Sequence, residues 1–140
     1  ISSRLKDNNI EIILNNENVE IDTYENELIQ IYINILNNSI DSFMEVNYNK
    51  YIFIETKKVN SHLIIEIKDN AGGIADDVIG KVFEPYFSTK DEKNGTGLGL
   101  YMCNEIVTKH LKGTISVQTL ISTNLQKNYT GASFKITLQL

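Results

Sequence analysis

The sequence predicts an α/β fold, because helical and strand patterns alternate along its 140 residues. A stretch from Glu25 to Met44 is apolar on almost every side, which is typical of a buried helix. A second helix is predicted over about Leu98–Lys109, with Gly113 just beyond its end. Alternating apolar and polar residues predict strands at Ile10–Leu14, Val19–Ile21, Tyr51–Lys57, His62–Asp69, Thr114–Thr119 and Ala132–Leu140.

The segments between these elements carry start and turn signals. Asp22 or Thr23 is the predicted cap of the first helix, because its short polar side chain can accept a hydrogen bond from the first free amides. A short helical turn is predicted near Ile79–Phe83, followed by an irregular segment over Glu84–Gly95 that holds the single proline. The stretch between the last two strands is polar, and we expect a loop there.

Composition narrows the class of protein. The net charge of −5 argues against a nucleic-acid partner or contact with an anionic membrane. There is no apolar run approaching the ~18 residues of a membrane span. The lone cysteine, Cys103, excludes an internal disulfide and is compatible with the cytoplasm; we expect it in the core. The chain starts without methionine, so we expect a piece of a longer protein. We expect this piece in the cytoplasm, whether or not its parent is anchored in a membrane.

The first candidate site is a stripe of amides on the first helix. Asn34 and Asn38 are four residues apart and share a face, with Gln30 one turn earlier and Asn37 and Asp41 adjacent. A carboxamide oxygen is a hard, neutral ligand suited to Mg²⁺, which takes its remaining partners from water and phosphate. The alternative is an asparagine-rich surface that faces solvent.

A second candidate is the carboxylate that ends an apolar strand. Asp69 precedes Gly72 and Gly73, and a strand-terminal carboxylate in a cleft can accept a hydrogen bond from the amino group of adenine. Guanine has no amino group at that position, so the contact would select adenine. The alternative is an ordinary aspartate that forms a turn before glycines.

The third candidate runs from Phe83 to Lys90. Phe83, Tyr86 and Phe87 surround the proline and could anchor one end of a mobile lid, while Lys90 offers a cation for phosphates. The alternative is an aromatic cluster with a surface lysine.

The fourth candidate opens the second helix. Amides at a helix start attract anions, and glycines let phosphate oxygens approach the backbone. The spacing fits neither a dinucleotide fingerprint nor a Walker loop. A flexible linker into a helix is the alternative. The residues are Gly95, Thr96, Gly97, Leu98, Gly99 and Leu100.

The order and spacing of these four motifs resemble the catalytic ATP-binding domain of sensor histidine kinases, where they are the N, G1, F and G2 boxes. The resemblance implies an α/β two-layer sandwich of the Bergerat type, with a mixed, mainly antiparallel sheet, helices on one face and an ATP lid over Glu84–Thr96. It divides the chain into residues 1–8, a remnant of the linker from an upstream dimerisation domain, and residues 9–140, the catalytic domain.

The resemblance also implies residue roles. Asn38 would bind Mg²⁺, Asn34 would lie near the phosphates, Asp69 would bind the adenine amino group, and Ile74 would pack on the base. Ala71 departs from the family, which commonly has glycine there. The implied catalytic set is Asn34, Asn38 and Lys90. The implied nucleotide-binding set is Asn38, Asp41, Asp69, Gly73, Ile74, Lys90, Gly95, Thr96, Gly97, Leu98, Gly99 and Leu100.

Asn34 separates this chain from related ATPases. The chaperone, gyrase and mismatch-repair members of the superfamily carry a glutamate there, which activates water as a general base. An amide cannot accept that proton, so the chain looks suited to phosphoryl transfer rather than to hydrolysis.

The function implied is transfer of the γ-phosphate of Mg-ATP to a histidine on the upstream dimerisation domain, for relay to a response regulator. His62 and His110 lack the acidic neighbour of a phosphoacceptor motif, and we expect both to be structural. Two alternatives stay open: a protein kinase of the anti-sigma-factor type, and a catalytically silent nucleotide-binding regulatory module.

Overall fold

A computed structural model describes residues 2–17, 24–87, 97–124 and 127–140. Its centre is a five-stranded sheet with the strand order β1-β2-β3-β5-β4. The helices are α1 (Ser2–Asp7), α2 (Glu25–Ser42), α3 (Asp76–Ile79) and α4 (Gly99–Glu105), which continues as a π-helical segment, Ile106–His110. The strands are β1 (Ile10–Asn16), β2 (Lys50–Val59), β3 (His62–Asp69), β4 (Thr114–Asn124) and β5 (Lys127–Gln139).

The sheet is mixed and mainly antiparallel, as expected. Strand β1 runs parallel to β2 and pairs Ile12 with Ile52, whereas the β2–β3, β3–β5 and β4–β5 pairs are antiparallel. In the centre, Ile65 of β3 faces Thr56 of β2 on one side and Ile136 of β5 on the other. This register places alternate apolar residues of the central strands on one face.

The core lies between that face of the sheet and the helices α2 and α4, so the two-layer α/β sandwich is confirmed. Burial of α2 is one-sided, however, and Ile29 remains 47% exposed. Cys103 is a core residue, as predicted. The largest fully buried side chains are Ile31, Ile35, Ile40, Phe43, Ile52, Leu63, Ile65, Ile67, Phe134 and Ile136.

The expected polar loop between the last two strands is wrong. Strands β4 and β5 form one long hairpin whose pairs run from Thr114 with Thr137 to Asn124 with Lys127. Paired backbones satisfy their amides and carbonyls whatever the polarity of the side chains, so polar residues continue the ladder.

The helical elements also differ in detail from the sequence prediction. Helix α3 begins at Asp76, earlier than the predicted turn near Ile79–Phe83, and two acidic residues occupy its first turn. The predicted helix Leu98–Lys109 is confirmed, but it extends to His110 and is π-helical over Ile106–His110. The predicted strand Val19–Ile21 and the predicted helix caps Asp22 and Thr23 lie outside the described residues.

The N-terminal segment is part of the described structure. Helix α1 precedes β1, and its Leu5 packs against the core. The division of the chain at residue 8 stays a prediction. None of the helices in the described ranges has the length and apolarity that crossing a bilayer requires.

Candidate functional site

The amide stripe of α2 borders the helix α4. The Gln30 side chain donates a hydrogen bond to Asn34 Oδ1 at 2.9 Å. The thiol of Cys103 donates to the main-chain carbonyl of Ile31 at 3.7 Å. Burial raises the pKa of that thiol to about 12, and the side chain of Asn34 beside it lowers the pKa only in part. Asn34 is therefore held in place by Gln30, and the thiol beside it stays protonated at neutral pH.

The side chain of Asn38 is half-buried, one turn beyond Asn34. Ser42 Oγ donates to the main-chain carbonyl of Asn38 at 3.1 Å. Within the parts of the chain that the structure describes, the carboxamide of Asn38 makes no hydrogen bond of its own. Its oxygen is thus open to an external cation or donor.

Asp69 ends β3 as a buried carboxylate, 5% exposed. Oδ1 accepts hydrogen bonds from the amides of Ala71 at 3.1 Å and Ala132 at 3.2 Å, and Oδ2 accepts one from Ser39 Oγ at 3.1 Å. Desolvation raises the pKa of Asp69 above its ordinary value, and these three bonds lower it only in part. The carboxylate is oriented from three separate elements.

Gly131 is required by this arrangement. A Cβ atom at Gly131 would lie 1.7 Å from the main-chain oxygen of Asp69 and 2.8 Å from its Oδ1. Only glycine lets β5 approach the end of β3 so closely.

The segment after Asp69 is held against β4. Thr119 Oγ1 accepts a hydrogen bond from the amide of Ile74 and donates one to its carbonyl, both at 2.9 Å. Gly73 lies beside the same threonine, and the side chain of Ile74 packs against the core. The predicted base-binding residues Asp69, Gly73 and Ile74 therefore lie together on one edge of the site.

The start of α4 is joined to the segment after α3. The amide of Tyr86 donates to the carbonyl of Gly97 at 2.8 Å, and Gly97 has a positive φ of 72°. Leu98 precedes the first residue of α4, Gly99, and Leu100 packs against the core.

The aromatic residues predicted to anchor a lid differ in their packing, and the anchoring role stays a prediction. Phe83 packs edge-on against Phe134, with ring centroids 6.3 Å apart. Tyr86 is 77% exposed, so it contributes its main chain and not its ring. The predicted residues Lys90, Gly95 and Thr96 lie outside the described residues.

The predicted nucleotide residue Asp41 has a protein partner. Arg4 of α1 contacts its Oδ1 at 2.8 Å and donates to Asn37 Oδ1 at the same distance. The predicted stripe thus includes both Asn38, whose side chain has no partner among the described residues, and Asp41, whose side chain is paired with a cation.

Sequence reasoning missed four residues of the site: Ser39, Thr119, Gly131 and Arg4. Ser39 stands out as a polar residue within the apolar face of α2, and Gly131 as a glycine next to a strand, so both had a local signal. Thr119 and Arg4 had no local signal. The partner of Thr119 is 45 residues away, and the two partners of Arg4 are 33 and 37 residues away.

The side chains of the candidate site fit a metal ion that binds together with the phosphates of a nucleotide. In residues 2–17, 24–87, 97–124 and 127–140, no three His, Cys, Asp or Glu side chains cluster as a metal site. One carboxamide such as Asn38 suits Mg²⁺, which retains waters and takes phosphate oxygens.

The sequence of the chain is similar to those of known bacterial kinases. The chain is 36% identical over 86 residues to sporulation kinase C of Bacillus subtilis, covering 61% of this chain and 19% of that protein. It is 32% identical over 122 residues to the probable C4-dicarboxylate sensor kinase of Halalkalibacterium halodurans, covering 84% and 23%. The chain therefore spans about a fifth of the length of these curated relatives.

Solved structures share the fold. The mycobacterial sensor histidine kinase MprB aligns with a TM-score of 0.78 at 21% identity, over 99% of this chain and 87% of that one. The nucleotide-free catalytic domain of histidine kinase ThkA aligns with a TM-score of 0.75 at 24% identity, over 99% and 84%. The Bergerat-type sandwich is thus confirmed. Since residues 23–140 match one family, the chain belongs to the histidine kinase-, DNA gyrase B- and HSP90-like ATPases.

Proposed function

We propose that the chain is the catalytic domain of a protein-histidine kinase, which binds Mg-ATP and presents the γ-phosphate to a histidine of another domain. One observation carries the proposal: adjacent residues of α2 serve two parts of the same site. Ser39 donates to the buried carboxylate of Asp69, and Asn38 beside it has its carboxamide open.

Asp69 is suited to adenine recognition. A carboxylate has about four lone-pair sites, of which the bonds from Ala71, Ala132 and Ser39 use three. The remaining site can accept one hydrogen bond from an exocyclic amino group. A base that presents a carbonyl there would face a buried acceptor with no donor, which costs about 1–3 kcal/mol.

The phosphates would lie between α2 and the start of α4. Mg²⁺ held by Asn38 would supply charge neutralisation for the triphosphate. The amides of Gly97–Leu100 would donate to phosphate oxygens, and Lys90 would add a cation. Asn34, an amide bonded by Gln30, cannot take a proton from water, which favours transfer over hydrolysis.

The acceptor histidine would come from elsewhere. His62 begins β3 and Asp69 ends it, so their backbones are about 23 Å apart along the strand. His110 lies eleven residues beyond Gly99, about 16 Å along the helix. We therefore propose an upstream dimerisation domain as the source of the acceptor.

A response regulator would receive the phosphoryl group next. Histidine kinase ThkA has been solved in complex with the response regulator TrrA, which supports this partner class. We also propose a cytoplasmic location, with neither nucleic acid nor a membrane as a partner of this segment.

Calorimetry with Asn38→Ala tests the metal-linked site. Because the carboxamide would be the protein's ligand to Mg²⁺, the variant should bind ATP at least about tenfold more weakly in the presence of Mg²⁺, with little change without it. Asn26→Ala is the matched control, since Asn26 is an exposed amide on the same helix. Unchanged Mg²⁺-dependent binding by Asn38→Ala would contradict the proposal.

Phosphate transfer separates the candidate functions. With a histidine-bearing dimerisation domain joined upstream, the proposal expects labelled phosphate on that histidine and negligible free phosphate. Transfer only to a serine of a separate protein would favour a kinase of the anti-sigma-factor type. Binding of ATP without transfer would favour a catalytically silent regulatory module. Rapid hydrolysis of ATP by this chain would contradict the role given to Asn34.

A further inference from the structure

Arg4 connects two parts of the molecule that are far apart in sequence. Its Nη1 donates to Asn37 Oδ1 and its Nη2 to Asp41 Oδ1, both at 2.8 Å. Asn37 and Asp41 are one helical turn apart, so a single guanidinium spans the last turns of α2. Bonds from arginine to a carboxylate are stronger than neutral hydrogen bonds and fix direction as well.

The helix that carries Arg4 is itself held in place. Leu5 packs against the core, and the carbonyl of Arg4 accepts bonds from the main-chain amide and the side chain of Asn8, at 3.2 and 2.7 Å. Lys50 of β2 donates to the carbonyl of Asn8 at 3.4 Å. The position of the guanidinium is therefore tied to the docking of α1.

Asn38 is a direct neighbour of Asp41 on α2, because residues three apart on a helix have Cβ atoms about 5–6 Å apart. If Asn38 holds Mg²⁺, phosphates bound to that ion would come within the screening length of about 8 Å from the Asp41 carboxylate. The carboxylate would then repel the phosphates rather than bind the nucleotide as the resemblance implies. The chain already has a net charge of −5, and Arg4 supplies one local positive charge beside Asp41.

We propose that Arg4 is a positioning residue for nucleotide binding, which ties α1 to the metal-binding turn of α2 and neutralises Asp41 beside the phosphates. This rests on the proposed function. Displacement of α1 would withdraw the cation and lower the affinity for ATP. The segment that precedes the nucleotide-binding fold thereby influences the site from outside it.

Binding of Mg-ATP and of adenosine to Arg4→Ala tests this role. The pair is partly exposed, with side-chain exposures of 42% for Arg4 and 18% for Asp41. We therefore expect a loss of about three- to tenfold in affinity for Mg-ATP. Adenosine carries no phosphate, so its affinity should not change. The loss should shrink at high salt.

The double variant Arg4→Ala/Asp41→Asn separates charge from structure. If the negative charge of Asp41 causes the loss once Arg4 no longer offsets it, removing that charge should restore most of the affinity for Mg-ATP. Lys6→Ala is the matched control, because Lys6 is an exposed cation on the same helix, and it should bind as the wild type does.

Several outcomes would overturn the proposal. Wild-type affinity in Arg4→Ala is one, and a loss equal to that of Lys6→Ala is another. Equal weakening of ATP and adenosine without recovery in the double variant would assign Arg4 a purely structural role. If the wild type itself bound no ATP in the presence of Mg²⁺, the proposed function would fail together with this inference.

Discussion

The proposed base end and the proposed phosphate end of the site are built differently. At the base end, three hydrogen bonds orient Asp69, and Thr119 holds both polar main-chain groups of Ile74. At the phosphate end, Asn38 has an open carboxamide, and one described main-chain bond joins Tyr86 to Gly97. Buried polar groups need hydrogen-bond partners within the protein even without a ligand. Half-exposed polar groups can bind water until a metal ion or a phosphate replaces it.

On the proposed function, selectivity for adenine and neutralisation of the phosphate charge therefore depend on separate parts of the molecule. The base end is formed by the fold itself, so a change that displaces its main chain should unfold or loosen the domain. The phosphate end depends on fewer protein contacts, so damage there should affect binding more than folding.

Gly131→Ala should have the largest effect, because a Cβ there would lie 1.7 Å from the main-chain oxygen of Asp69. Neither backbone can move without breaking the β3–β5 ladder, so we expect a loss of about 3 kcal/mol or more in the free energy of unfolding. Urea denaturation measures it. Gly80→Ala is the control, since a Cβ at Gly80 has open space. Equal stability of the two variants would show that the base end tolerates rearrangement.

Gly97→Ala should have an intermediate effect. Its φ of 72° is costly for alanine, and the new Cβ would lie 2.5 Å from the main chain of Tyr86. We expect a loss of about 2 kcal/mol from the backbone conformation and the close contact together. The decisive measurement compares urea denaturation with Mg-ATP affinity. Affinity should fall by more than stability predicts, and an unchanged affinity would remove Gly97 from the phosphate end.

Asp69→Asn should have the smallest effect on the free energy of unfolding, and it should raise that free energy where the two glycine variants lower it. Burial raises the pKa of Asp69 in the folded protein above the ordinary value of 3.8. As pH rises from 3.8 towards the pKa of the folded protein, the unfolded chain therefore loses the proton of Asp69 while the folded chain keeps it. Wild-type stability therefore falls through that range as pH rises, and the gap in favour of Asp69→Asn widens until the folded carboxyl is ionised.

The measurement is urea denaturation of both proteins from pH 3 upward, with Asp77→Asn, an exposed aspartate, as control. Adenine binding should be lost in Asp69→Asn although the fold remains. If the wild type gained stability relative to Asp69→Asn as pH rose, burial would not be the cause of a raised pKa at Asp69.

The sequence predicted most of the elements, but with errors that have physical causes. The helix over residues 25–44 and the strands β2 and β3 were confirmed because their periodic patterns are long. The hairpin extension through Leu120 and Thr130 was missed, since pairing of the two strands rather than side-chain polarity decides where a ladder ends. The position of α3 was missed because four residues carry too little periodicity.

The sequence indicated the candidate site residues unevenly, for a similar reason. Asp69 and Asn38 could be singled out because each is a polar residue inside or beside an apolar pattern, and their roles stay predictions. The pairing of Asp41 with Arg4 could not be found, because the charge of a neighbour 37 residues away leaves no local trace.

Local patterns along the chain specify the alternation of helices and strands, the order of the four motifs and the side chains present at each motif. The fold specifies that the main chain of Gly131 lies against Asp69, that the hydroxyl of Thr119 bonds with Ile74 and that Arg4 contacts Asp41. The reason is physical: periodicity and capping act over a few residues, whereas these contacts depend on strand register and on the docking of α1.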